Sequence, residues 1–114
     1  KHFALLREKR DLTDALAAAK NDAATAAAGN LVKLTSLAAG PMWVSGSDNG
    51  AKKDTRALPA IWQNFPDVGA KAKAASDAAV ALEMAAGTSL EALQGAMGAM
   101  GGACAACHKA YRAP

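Results

Sequence analysis

The sequence is poor in aromatic residues and in cysteine, and it has neither a long apolar run nor a block of like charge. Its 114 residues include two Trp, one Tyr, two Phe and two Cys. Two cysteines are too few for a disulfide-based scaffold. No run of about 18 residues is continuously apolar, so we predict no membrane span. The formal net charge of +3 is spread along the chain, which argues against nucleic acid as a partner.

Alanine is the most abundant residue, with 32 copies. It favours helix strongly but buries little apolar area. Such a helical chain has little material for a core, unless its helices pack unusually close or something other than side chains fills the middle. The length allows one domain, which we place over residues 1–114. The chain starts at Lys1 without an initiator Met, so we expect a processed or truncated product.

The spacing of apolar residues predicts four helices and no strand. We expect the helices over residues 1–20, about 22–39, about 67–86 and about 90–112, with one long loop over 41–57. Asn21 and Asp22, which are residue types that cap helices, mark the break between the first two. A capping box from Thr88 to Glu91 begins the fourth. Four helices with three connections predict an all-α four-helix bundle.

One segment near the C-terminus carries a chemical motif. Cys104-Ala105-Ala106-Cys107-His108 has the pattern C-x-x-C-H. Residues three apart share a helix face, so the two thiols lie about one turn apart. At that spacing they can form thioethers with the two vinyl groups of a haem, and His108 on the same face can bind its iron. The motif therefore predicts covalent haem c, whose apolar ring among small alanines would also account for the composition.

Three other uses of the two cysteines remain open. A redox-active C-x-x-C pair belongs in a strand-turn-helix setting rather than deep in a helix. A zinc site needs four ligands, and only His2 is left to add. A structural disulfide is chemically feasible, although adjacent helix turns are a poor place for one.

The chain resembles the class II cytochromes c, and among them the cytochrome c′ family. Haem attachment near the C-terminus is one shared feature. The segment from Cys104 to Arg112 is similar to the family's terminal segment, and the stretch from Thr55 to Asn64 is similar to its entry into the third helix. The resemblance implies an antiparallel up-down-up-down bundle with haem near the C-terminal helix. It also implies export to the periplasm and, as in many members, a homodimer formed through the first two helices.

The resemblance assigns roles to four residues at this end of the chain. Cys104 and Cys107 attach the haem, and His108 is the proximal iron ligand. Arg112 would lie beside that histidine, one helical turn along. Alternatively, Arg112 is simply a cation at a helix C-terminus, where the helix dipole favours positive charge.

The distal side of the haem is where this sequence departs from the family. The family takes its distal residue from the first helix. That position falls near His2, with Phe3 beside it and Leu5 one turn later. A histidine there could be a sixth iron ligand, or it could point into water at the chain end. Trp43 and Trp62 are expected to border the haem pocket or to belong to the core.

Two functions follow from a haem, and they differ in the sixth iron ligand. With an open site the protein would be five-coordinate and bind NO or CO; with a distal ligand from the first helix it would be a six-coordinate electron-transfer cytochrome. Met97 and Met100 lie on the helix that bears His108, so we expect them to pack in the core rather than to bind iron. No base–nucleophile arrangement is present, so we predict that the protein is not an enzyme. The sequence does not identify a redox partner.

Overall fold

Helices make up most of the fold. The computed structural model describes residues 2–114, with all of their side chains except those at positions 2, 3, 5 and 15–20. The helices are α1 (His2–Thr35), α2 (Ala60–Gln63), α3 (Phe65–Ala86) and α4 (Leu90–Tyr111). No strand occurs within residues 2–114, where the only strand-like pairing is an isolated bridge between Ala57 and Arg112. The prediction of an all-α protein is confirmed. No described helix is both long and apolar enough to cross a bilayer.

The first two predicted helices form one continuous helix, α1, of 34 residues. The predicted break at Asn21 and Asp22 is therefore wrong. Alanine provides nine of the residues from 15 to 28, and neither glycine nor proline precedes Gly29. Asn and Asp each cost roughly 0.5–0.7 kcal/mol relative to Ala inside a helix, and the surrounding alanines offset that cost. α1 ends at Thr35, a few residues before the predicted end of the second helix.

The central helix is α3, because both α1 and α4 pack against it. α1 and α3 are antiparallel: a side chain at Gly29 would meet Glu83, whereas Leu34 lines a cavity together with Ala72, earlier in α3. α3 and α4 are also antiparallel, because the connection between Ala86 and Leu90 is too short for any other arrangement. The antiparallel packing of helices follows the predicted pattern, although the first two predicted segments are joined.

The buried cluster between the three long helices is made mostly of small side chains. It consists of Ala28, Ala79, Leu82, Ala86 and Met100. Small residues at facing positions allow helix axes to approach closely, which increases the dispersion contacts that each backbone makes. Close helix packing was one of the two solutions that the composition allowed for a core with few large side chains. The other was a group that is not a side chain.

The start of α4 is capped by Ser89 rather than by Thr88. Ser89 has extended backbone angles, and its hydroxyl accepts a hydrogen bond from the Ala92 N–H at 3.0 Å. The Thr88 hydroxyl instead donates to the Met84 carbonyl at 3.0 Å, at the end of α3. The predicted capping box is therefore wrong: the cap lies one residue later, and the residue three positions after it is Ala92, which has no side chain to return a hydrogen bond. Glu91 lies in the first turn as an acidic residue favoured by the helix dipole.

The end of α4 is tied to the loop that precedes α2. The Leu58 N–H donates to the Tyr111 carbonyl at 3.0 Å, and the Ala113 N–H donates to the Arg56 carbonyl at 2.8 Å. Beneath these bonds, Tyr111 is buried together with Ile61 and Val68. The loop is thereby held against the segment that carries the C-x-x-C-H motif.

The molecule is elongated. Its Cα radius of gyration is 20.1 Å and its extents are 71 × 25 × 21 Å, whereas a compact domain of this length would have a radius of gyration of roughly 13 Å. The elongation comes from α1, since a 34-residue helix is about 50 Å long and a 22-residue helix about 33 Å. The first half of α1 therefore extends past the helices against which its second half packs.

Candidate functional site

The C-x-x-C-H segment lies in the last two turns of α4. Cys104 packs against the buried cluster that contains Leu82, and Cys107 packs against the cluster that contains Tyr111. Both cysteines are half-buried free thiols, and His108 is exposed. One helix therefore presents the two thiols and the imidazole within two turns, as the spacing predicts.

A cavity of about 250 Å³ opens beside this segment. α4 contributes Cys107 and His108 to its lining, the residue after α4 contributes Arg112, and the loop before α2 contributes Arg56. Arg112 ends the helix, where its N–H donates to the His108 carbonyl at 3.0 Å. The structure thus places Arg56, Arg112 and His108 around the same small cavity.

A larger cavity, of about 560 Å³, lies between the second half of α1 and the start of α3. Its lining is mostly apolar and includes Leu34, Leu37, Trp43, Phe65, Val68, Ala72 and Ala75. Trp43 lines both cavities, and Val68 belongs to the same buried cluster as Tyr111, against which Cys107 packs. The two cavities are therefore neighbouring parts of one cleft, called the cleft below.

The donor groups and the apolar lining of the cleft fit a haem. Cofactor sites are apolar concavities of roughly 300–1,000 Å³ with a few polar groups. The cleft is lined by Cys107 and His108, and the second free thiol, Cys104, lies one helical turn before them. Among the described residues there is no cluster of His, Cys, Asp and Glu that could hold a bare metal ion. His2, the residue that could have completed a zinc site, lies outside the described side chains. The described residues therefore favour haem over zinc.

Two tryptophans pack against each other beside the cleft. The rings of Trp43 and Trp62 are perpendicular, with centroids 6.2 Å apart, and the Trp62 Nε1–H donates to the Trp43 carbonyl at 3.2 Å. Trp43 lines the cleft directly, whereas Trp62 lies behind it and packs against the cluster that contains Ile61. Trp62 therefore positions Trp43 rather than forming the wall itself.

Tyr111, which lines the cleft, forms a hydrogen bond with Asp67. The sequence analysis did not predict this bond. The Tyr111 hydroxyl donates to Asp67 Oδ2, and the Lys71 ammonium lies 3.0 Å from the same carboxylate. The hydrogen bond to Asp67 raises the pKa of Tyr111 to about 12, and the bonds from Tyr111 and then Lys71 lower the pKa of Asp67. The two residues are 44 positions apart, so no local sequence signal pairs them.

Burial changes the pKa of one of the two thiols. Desolvation raises the pKa of Cys107, with a smaller opposing effect from the positive charge of Lys71. The group therefore remains a neutral thiol at neutral pH, where a buried thiolate would be costly. A neutral, apolar thiol is compatible with a position against the hydrocarbon edge of a porphyrin.

The distal residues predicted from the sequence cannot be placed. His2, Phe3 and Leu5 lie outside the described side chains, so their proposed roles stay predictions. Of the two methionines on α4, Met100 is buried in the core as expected, but Met97 is 52% exposed. Met97 lies seven residues before Cys104 on α4, between Ala96, which packs against the buried cluster, and Met100, which belongs to it.

Comparison with protein families identifies a match over almost the whole chain. The family described as Cytochrome C' matches residues 4–112. A curated relative, cytochrome c-554 of Cereibacter sphaeroides, is 42% identical over 86 residues. That segment covers 75% of this chain but only 56% of the relative, so the chain matches little more than half of the relative's length.

Two solved structures show the same likeness. Cytochrome c' from Rhodobacter Spheriodes is 34% identical with a TM-score of 0.79, over 98% of this chain and 89% of that one. A nitric oxide complex of a mutant cytochrome c prime from Alcaligenes xylosoxidans is 32% identical with a TM-score of 0.65, over 82% of this chain and 71% of that one.

Proposed function

Because the chain belongs to the cytochrome c′ family, whose cofactor is covalent haem c, we propose that its iron is held by His108 and binds a diatomic gas. Cys104 and Cys107 fix the haem to α4 through thioether bonds. The observation that carries the proposal is that two free thiols and an imidazole lie within the last two turns of one helix, where Cys107 and His108 line the cleft.

The residues of the chain position and surround the haem. The bound haem supplies an iron that takes up NO or CO and changes its oxidation state by one electron. Attachment at two points one helical turn apart fixes the orientation of the ring relative to α4, and His108 presents an imidazole nitrogen from the same side. The apolar side chains of the larger cavity, such as Leu34 and Phe65, provide surroundings of low polarity.

Gas binding is supported by the lining of the cleft and by one of the similar proteins. The cleft offers few hydrogen-bond donors beyond its charged edge. Such a lining favours NO and CO over O₂, since bound O₂ is stabilised by donors in the distal pocket. The related mutant cytochrome c prime described above was solved as a nitric oxide complex.

A second candidate is electron transfer by a six-coordinate haem. The curated relative is named cytochrome c-554, a cytochrome without a prime designation. The sixth ligand would come from the first part of α1, where His2 is the one candidate in the sequence. In either case we propose a periplasmic location, in line with the export of this family, and no enzymatic activity.

Optical spectroscopy of the purified holoprotein tests the proposal. We expect a single broad visible band for the ferrous protein and a new band on addition of NO. A pyridine haemochrome assay after denaturation should show haem still bound to the chain. Cys104→Ala and Cys107→Ala should each shift that haemochrome by loss of one thioether, whereas the neighbouring Ala105→Ser should leave it unchanged.

The alternative outcomes are distinct. A sharp, split pair of visible bands in the ferrous protein would show six-coordinate haem and select electron transfer. Haem that is removed by acid and acetone would contradict covalent attachment. Retention of the normal spectrum in His108→Ala would overturn the assignment of the proximal ligand.

A further inference from the structure

Tyr111 differs in its surroundings from the other aromatic residues that the structure describes. The residue is buried, with 7% of its surface exposed. It lines the small cavity together with Cys107 and His108, and its hydroxyl donates to Asp67 Oδ2. The structure therefore holds a phenol beside the haem-attachment segment, with a carboxylate on its hydroxyl group.

Asp67 is suited to take a proton from this hydroxyl and to release it again. Its carboxylate lies 3.0 Å from the Lys71 ammonium and in the first turn of α3, where the helix dipole favours negative charge. The charged form is therefore the one that is present at neutral pH, and it can accept a proton. The Asp67 side chain is 50% exposed, so a proton received from Tyr111 can pass on to water.

Burial couples the loss of an electron from Tyr111 to the loss of a proton. Removal of an electron alone would leave a positive charge on a buried ring, which is costly in free energy. An oxidised phenol is also a much stronger acid than a carboxylic acid. If the hydroxyl proton moves along the existing hydrogen bond to Asp67, the ring stays neutral. The pair thus meets both requirements of a redox-active tyrosine, which are an electron acceptor nearby and a proton acceptor in contact.

The two tryptophans near the cleft lack such a partner. The Trp62 Nε1–H donates to the Trp43 carbonyl, which is not a base at neutral pH. Among the described residues, the side-chain hydrogen bonds to carboxylates come from Lys71, Lys73 and Tyr111 and from neither indole. Oxidation of either tryptophan would therefore leave a cation without a local proton acceptor, and Tyr111 is the favoured electron donor.

We propose that Tyr111 is a redox-active residue, which gives one electron to the haem when a peroxide reacts at the iron, while its hydroxyl proton passes to Asp67. The step uses the covalent haem of the proposed function but does not depend on gas binding. Tyr111 follows Cys107 by four residues, about 6 Å along the axis of α4. The electron therefore travels only a short way from the ring to the attached cofactor.

Electrons and protons balance within one chain. Hydrogen peroxide takes up two electrons and two protons as its O–O bond breaks, and it leaves as two waters. One electron comes from the ferrous iron, which becomes ferric, and the other comes from Tyr111. One proton comes from Tyr111 through Asp67, and the other comes from the solvent. The products are the ferric protein, two waters and a neutral tyrosyl radical.

Electron paramagnetic resonance of the wild-type holoprotein tests the proposal. Ferrous protein is mixed with one equivalent of hydrogen peroxide and frozen, and we expect an organic radical to form together with the ferric haem. Tyr111 is the only tyrosine in the chain. Growth on ring-deuterated tyrosine therefore labels this ring alone and should collapse the hyperfine structure of the radical. Ring-deuterated tryptophan, which labels Trp43 and Trp62, is the matched control and should leave the signal unchanged.

Two pairs of variants test the separate roles of the phenol and the carboxylate. Tyr111→Phe keeps the buried ring and should abolish the radical, while the pyridine haemochrome stays that of covalent haem. Asp67→Asn removes the proton acceptor and should lower the yield of radical several-fold. Asp77→Asn is the control for this change, because Asp77 pairs with Lys73 on the same helix and does not contact the tyrosine.

Three results would overturn the proposal. The first is a haem spectrum that peroxide leaves unchanged. The second is ferric haem formed without a radical, or with a radical that deuterated tyrosine does not alter. The third is an equal yield of radical in Asp67→Asn and in the wild-type protein, which would contradict proton transfer to that carboxylate.

The two proposals can fail separately. A protein that binds NO but forms no tyrosyl radical would contradict the redox role of Tyr111 alone. A low-spin ferrous spectrum together with a tyrosyl radical would contradict gas binding alone.

Discussion

The contact between Tyr111 and Asp67 joins the end of α4 to the start of α3, directly beneath the cleft. Its effect on stability depends on pH in two directions. The folded-state pKa of Asp67 is lowered, so its contribution is present above the unfolded value of 3.8 and is lost as the pH falls through the folded value. The pKa of Tyr111 is raised from 10.0 to about 12, so its contribution is complete below pH 10 and is lost as the pH rises to about 12.

The tyrosine titration can be measured directly, because Tyr111 is the only tyrosine in the chain. We expect tyrosinate absorbance to appear with a midpoint near 12. Asp67→Asn removes the charged acceptor and should move the midpoint down towards 10. Asp77→Asn is the matched control, since Asp77 pairs with Lys73 on the same helix without touching the tyrosine. An unchanged midpoint in Asp67→Asn would show that the hydrogen bond is not formed in solution.

Arg112 lines the same cavity as His108. Positive charge near the iron favours the reduced state, because the reduced metal carries one positive charge fewer. We expect Arg112→Gln to lower the reduction potential by an amount on the order of tens of millivolts, measured by potentiometric titration. Lys109→Gln is the control, because Lys109 is exposed on the same helix but does not line the cavity. Equal shifts in both variants would point to net charge rather than position.

At the scale of the elements, the short connection between α3 and α4 fixes where the C-x-x-C-H segment lies. α4 starts at Leu90 because Ser89 satisfies one of its free N–H groups, and the helix then runs unbroken to Tyr111. Its start therefore sets the register of Cys104, Cys107 and His108 against the cleft.

Removal of the cap hydroxyl should destabilise the protein. We expect Ser89→Ala to lower the free energy of unfolding by about 0.5–2 kcal/mol, measured by urea denaturation. Thr88→Ala should cost less, since the Thr88 hydroxyl only adds a bond to a carbonyl at the end of α3. If Thr88→Ala lowers the free energy of unfolding more than Ser89→Ala does, the cap is Thr88, as predicted from the sequence, and not Ser89.

The packing of α3 depends on one large buried side chain among alanines. Leu82 is 2% exposed, at the junction of α1, α3 and α4. We expect Leu82→Ala to cost about 2–5 kcal/mol through lost burial and a residual cavity. Leu90→Ala, at a position 66% exposed, should change the free energy of unfolding by less than about 0.5 kcal/mol. Similar losses in the two variants would contradict the described core.

At the scale of the whole molecule, the haem belongs to the core as well as to the function. The protein core among the described residues is small, and Cys107, which lines the cleft, packs against one of its two clusters. We expect protein expressed without haem, or the double variant Cys104→Ala with Cys107→Ala, to denature at lower urea than the holoprotein, measured by far-ultraviolet circular dichroism. Equal midpoints would show that the haem contributes no burial.

Local patterns predicted those features of the fold and site that depend on neighbours in the sequence. The ends of α3 and α4 fall within two residues of the predicted bounds, because caps and apolar spacing act over one turn. Local patterns did not weigh Asn21 and Asp22 against the alanines around them, so they predicted a break that α1 does not have. Nor could they pair Tyr111 with Asp67 or show that Trp43 joins two cavities, since those contacts link distant segments.

The sequence by itself determined that the chain is helical and that it carries haem c on Cys104 and Cys107, because these follow from composition and from spacing along one helix; His108 as the iron ligand stays a prediction. Only the tertiary structure decided that α1 is continuous and that the cleft runs from the space between the second half of α1 and the start of α3 to the end of α4. The physical reason is range: helix propensity and motif spacing act within a few residues, whereas packing and surface burial depend on segments that meet only after folding.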